Sequence, residues 1–94
     1  MTAEILDHRA EIRDTANRAG IVILTRSGNP LPARVLTASI LSQSAIITST
    51  HPDHPVQTRV PWSTLERDVN KVRDHILQTP VTLPQNSLLQ YPAE

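Results

Sequence analysis

The gaps between the β-branched runs at 21–27, 33–41, 45–50 and 56–60 are too short for a parallel connection. A parallel crossover takes about a dozen residues or more, whereas antiparallel neighbours join through a tight turn. "IVILTRS" (21–27) runs into the turn cluster "SGNP" (27–30), and "ARVLTASIL" (33–41) alternates Val35, Thr37, Ser39 and Leu41 against Arg34, Leu36, Ala38 and Ile40. After the polar break "SQS" come "AIITST" (45–50) and "VQTRV" (56–60), the latter with Val56, Thr58 and Val60 facing one way. The expectation is a four-stranded antiparallel meander, able to curl into a small barrel.

Helical spacing flanks this segment on both sides. Over residues 3–19, Ile5, Ile12, Ala16 and Ala19 make one face, which Leu6 widens. Glu4 and Asp7 early, Arg18 late and Gly20 beyond suit the helix dipole and the C-terminal stop. Asp14 and Arg18 form an i,i+4 pair on the outer face. In the second helix, Ser63 and Glu66 have capping-box spacing, and Leu65, Val69, Val72 and Ile76 form a narrow apolar stripe. Thr79-Pro80 closes it. The remainder carries three prolines without a regular period and reads as an extended tail. The fold class is therefore α+β: residues 1–79 as one domain of two helices and a meander, and 80–94 as a Pro-rich tail.

Composition narrows the functions. Nine basic and nine acidic residues cancel, leaving no overall field for nucleic acid or anionic lipid. Without cysteine there are no disulfides, thiol nucleophiles or sulfur-ligated zinc sites, and the expected compartment is the cytoplasm. No signal peptide is visible at the amino terminus. Trp62 and Tyr91 are the only aromatics, so the core is aliphatic and small, and association into a homo-oligomer would relieve its marginal burial.

"VILTRSGNPLPARVLTAS" (22–39) resembles the first motif of the Sm/Lsm small-barrel proteins, in which a helix precedes a strand that ends in a turn glycine. Gly28 is at that glycine, Leu31 at the leucine three residues on, and Ala33 at the small residue before the next strand. "RVPWSTL" (59–65) is similar to the way such barrels leave their fourth strand. The resemblance implies a small barrel. Ala33 stands where the family has a glycine, the second motif with its RNA contacts has no counterpart here, and a long helix replaces the short last strand. No RNA-contacting residue carries over.

The chemistry-bearing candidates are few. His51 and His54 in "HPDH" have imidazoles that suit zinc or nickel, but a stable site needs three or four ligands, and prolines with Asp53 between the histidines read as a turn. The expectation is a loop with no metal and no cofactor. No G-x-S-x-G elbow surrounds a serine, and two glycines cannot make a phosphate-cradling loop. The chain reads as a non-enzyme. Arg26, Arg34 and Arg59, on three strands, would make a nucleic-acid-binding patch if they shared a sheet face; otherwise they are solvated edge charges. Trp62 either anchors a partner or pins the second helix to its own core. Leu88, Leu89 and Tyr91 make the tail too apolar for water, so it either straps its own domain or docks on a neighbour by strand addition. The leading expectation is a protein-binding adaptor, homo-oligomeric, using the tail, a free strand edge and the Trp62 region. A viral or mobile-element product that blocks a host factor would look the same. A nucleic-acid binder using the three arginines and a metal-dependent enzyme at His51 and His54 are the alternatives.

Overall fold

The computed structural model describes residues 2–53, 55–78 and 89–94. Its element order is α1 (Ala3–Ala19), β1 (Ile21–Leu24), β2 (Pro30–Val35), a 3₁₀ helix (Thr37–Leu41), β3 (Ser44–Ser49), β4 (Gln57–Pro61), α2 (Trp62–Gln78) and β5 (Leu89–Pro92). The class is α+β, with two helices on one face of a curled sheet ordered β4-β3-β2-β1-β5.

Local chemistry explains the limits of each element. Thr2 caps α1 by accepting the Ile5 N–H, and Gly20 ends the helix at φ +92° with its N–H on the Ala16 carbonyl. That φ is open to glycine and strained for other residues. Gly28, at φ +85°, shapes the β1–β2 turn, where the Thr25 hydroxyl and carbonyl accept the Asn29 and Gly28 N–H groups. Pro32 sits in β2 without breaking the ladder. Its carbonyl faces Thr50, beyond the end of β3, so the N–H that proline lacks faces no strand partner.

Two expectations need correction. First, 33–41 is not one strand. β2 stops at Val35 and the chain turns into the 3₁₀ helix, because the Ser39 hydroxyl and N–H both donate to the Leu36 carbonyl. Side-chain bonds of this kind compete with a strand ladder. Val35, the last β2 residue, takes an unexpected partner: the Asn17 amide of α1 accepts its N–H at 2.8 Å and donates to its carbonyl at 3.3 Å. Second, the sheet has five strands and is mixed. Residues 89–92, expected within an extended tail, form β5, parallel to β1 with Ile21 opposite Leu89 and Ile23 opposite Tyr91. The first three pairings, β1–β2, β2–β3 and β3–β4, are antiparallel as expected.

Staggered register curls the sheet, as strand tilt and stagger do in closing barrels. Its two edges approach one another at the chain's last residue. Ala93 N–H still bonds to β1 at the Leu24 carbonyl, and Glu94 N–H crosses to the Gln57 carbonyl of β4 at 3.3 Å. Inside the curl, Ile21, Ile23, Val35, Ala45, Ile47, Val60 and Leu89 meet Ile12 and Ala16 of α1 and Leu65 and Val69 of α2. Tyr91 joins them, its hydroxyl donating to Asp68 Oδ2 at 2.8 Å. Burial and that bond push the phenol well above its ordinary pKa, so it remains a donor. No helix among the described residues is long and apolar enough to cross a membrane.

Leu89 is 1% exposed and belongs to this core. L89A should therefore cost about 2–4 kcal/mol, from lost transfer energy and the cavity left behind. Urea denaturation of the full chain measures it, and a loss below about 0.5 kcal/mol would contradict a core role for β5.

Candidate functional site

A linked set of side-chain bonds lies where α1, the end of the 3₁₀ helix and the start of α2 converge. Arg9 reaches from α1 to the last carbonyls of the 3₁₀ segment: Nη1 donates to the Ile40 carbonyl at 2.9 Å and to the Ser42 carbonyl at 3.0 Å. Trp62 Nε1 donates to the same Ser42 carbonyl at 3.1 Å. The Arg9 guanidinium lies 5.4 Å from the Trp62 ring centroid, within cation–π range. One carbonyl thus ties three elements together with both of its lone pairs.

Beside this knot runs a groove of about 380 Å³ whose lining includes Glu4, Ile5, His8, Arg9, Ile12 and Trp62. Its lining is mainly apolar, from Ile5, Ile12, the Arg9 stem and the indole. Two interhelical pairs hold the α1–α2 seam. His8 Nε2 meets the Glu66 carboxylate, and Arg73 donates to both Glu11 oxygens at 2.6 and 3.5 Å. Glu66 was expected to reach back to Ser63 in a capping box. Since α2 already begins at Trp62, Ser63 lies inside the helix and Glu66 is turned across to His8.

Two large apolar side chains stay exposed among the described residues: Ile5 at 45% and Leu41 at 67%. They flank the Arg9–Trp62 knot, Ile5 on the groove wall and Leu41 between the two residues whose carbonyls Arg9 grips. Ile5 is at the third helical position after the Thr2 cap, where Glu or Gln completes a capping box. An isoleucine there gives up a local stabilisation and leaves an apolar group in water.

The sequence-derived candidates fall differently. Trp62, 7% exposed, is the pin for α2 and not a free anchor, because its indole is turned into its own core with the N–H satisfied on Ser42. Leu89 and Tyr91 are likewise core residues of β5, so the chain's end straps its own domain; Leu88 lies outside the described residues. The three arginines do not gather. Arg34 and Arg59 share the outward face, since Val35 and Val60 beside them point into the core, and register places them roughly 12 Å apart. Arg26 sits in the β1–β2 turn, roughly 20 Å further along the strand direction, and Arg59 is paired with Glu94 at 3.0 Å. His51 serves its loop by accepting the Asp53 N–H on Nδ1 at 3.2 Å, while His54 lies outside the described residues. Among the described residues no group of three or more His, Asp or Glu could hold a metal ion.

The strand edges are guarded. Val56 bonds to Ser49 on β3, so by alternation Gln57, Arg59 and Pro61 present their backbone outward. A strand laid along β4 would meet Glu94 at its first rung and a proline without a donor at its last. β5 ends on Pro92. Ile5 and Leu41, the exposed apolar pair, were placed by sequence on a core face and within a strand. The Thr2 cap three residues before Ile5 was the one signal available for it.

No family model matches the chain, and no curated protein or solved structure does either.

The Arg73 guanidinium, donating to Glu11, holds that carboxyl below its ordinary pKa of 4.5; slight burial opposes this, and Thr15 adds a weaker bond. A lowered folded pKa stabilises above the unfolded value, and the gain disappears as pH falls through the folded one. The pair is solvent-exposed, so it should contribute on the order of 0.5 kcal/mol. Urea midpoints of the wild type and E11Q across pH should differ most above the ordinary carboxylate range and converge as pH falls through the lowered folded value. A difference that persists undiminished to about pH 2 would refute the pairing.

Proposed function

We propose that this protein is a non-enzymatic protein-binding module, an adaptor, whose contact face is the groove between α1 and α2 together with Ile5 and Leu41. The observation that carries this is the pair of exposed apolar side chains on either side of a rigid knot, next to an apolar-lined groove. Small apolar grooves with a polar rim are the usual seat of a partner's anchor side chain. The rigidity matters: Arg9 and Trp62 fix the groove wall and the Leu41 backbone before any partner arrives, so little ordering cost is left for binding. A local helix rule set aside at Ile5 also fits selection for contact rather than stability.

A photo-reactive benzoylphenylalanine at position 41, with a control at exposed Lys71, tests the reading in native cells. Position 41 should give discrete adducts that disappear when I5E is added, and position 71 should not. Adducts that are absent, or the same at both positions, would overturn it. I5E keeps the fold intact, since it supplies the missing capping-box carboxylate.

A further inference from the structure

The seam between the two edge strands is closed at one rung and open beyond it. Because β5 runs parallel to β1 and the pairings from β1 to β4 are antiparallel, β5 and β4 lie antiparallel across the seam. Glu94 and Gln57 make the closed rung, with the Glu94 N–H on the Gln57 carbonyl. Two residues along, the next rung would set Pro92 against Arg59, and proline has no N–H to give the Arg59 carbonyl. Pairing between the edges stops there, and the Arg59 backbone faces the seam with no partner among the described residues.

The charges on this side of the sheet are uneven. Among the described residues, the outward positions of the five strands and of Glu94 carry three charged groups: Arg34, Arg59 and Glu94. Glu94 is the one carboxylate of the three, and it is spent on Arg59. Arg34 pairs with no described carboxylate.

We infer that the β4 edge takes an extended acidic segment of another protein, added antiparallel as a further strand, and that Glu94 is a latch holding its first rung until one arrives. Glu94 already makes both contacts such a ligand uses, a main-chain bond to the edge and a carboxylate on Arg59. The latch is light. It consists of one main-chain bond at 3.3 Å and an ion pair whose side chains are 64% and 46% exposed, which water screens. An incoming strand displaces it and gains what Glu94 does not reach, the N–H and carbonyl of Arg59. Opposite residues share a face, so acids at alternate positions of that segment stand beside Gln57 and Arg59 on the outward side, where Arg34 adds a second cation. Pro61 keeps the added strand short. This surface lies outside the α1–α2 groove and goes beyond the function proposed for it.

The probe is a fluorescein-labelled peptide of alternating glutamate and threonine, read by anisotropy against the full chain at low salt. E94A should tighten binding about two- to fivefold, the range open to one screened pair. R59E should weaken it at least about tenfold. Arg59 is exposed, so R59E leaves the core untouched, and an unchanged urea midpoint confirms it. I5E, aimed at the α1–α2 groove, should change nothing. The same peptide N-methylated at each glutamate keeps its charge, loses the donors aimed at β4, and should not bind. A methylated peptide that binds as well as its parent would reduce the contact to charge alone and overturn strand addition. Binding that is absent from E94A, or equal in E94A and the wild type, would overturn the latch and its site. If E94A dimerises on a sizing column and ignores the peptide, the edge belongs to a second copy and the acidic partner is excluded.

Discussion

The carbonyl of Ser42 is the point on which the helical side of this molecule depends. The 3₁₀ helix ends there, and the last carbonyls of a helix have no partners of their own. Arg9 and Trp62 supply the donors from two other elements, and a guanidinium at a helix C-terminus also suits the local dipole. A buried indole N–H needs an acceptor, and this carbonyl satisfies it. The same bonds turn the carbonyls on either side of Leu41 toward α1, and Leu41 is the side chain left in water. The feature that holds the helices to the sheet thus also creates the most exposed apolar group described.

On the sheet side the governing constraint is an aliphatic core in a short chain. Neither an open sheet with one helix nor two separate layers would bury enough from so few large residues. Curling the sheet lets every strand and both helices contribute to one cluster. β5 completes it: Leu89 and Tyr91 fill the space beside β1, and Glu94 joins the last strand to the first rung of β4. Tyr91, one of the two aromatics, is anchored on Asp68 of α2, so the far edge of the sheet is fastened to the helix layer as well.

Most of the elements were legible because their signals are local. The Ile12–Ala16 spacing, the Gly20 stop, the turn at Gly28 and the stripe through Leu65 and Val69 each require only neighbouring residues to act. What could not be read depended on distant partners. Residues 33–41 alternate as a strand should, yet Ser39 folds back on Leu36, and α1 reaches in with Asn17 and Arg9, which no local pattern reveals. β5 alternates Leu89 and Tyr91 inward over only four residues, too few to stand out from the proline-rich sequence around them, and its partner is almost seventy residues earlier. For the site, the arginines looked promising only as long as their separation along the strands was unknown. Ile5 was assigned to the core because spacing cannot distinguish the centre of an apolar face from its end, where the helix runs past the sheet.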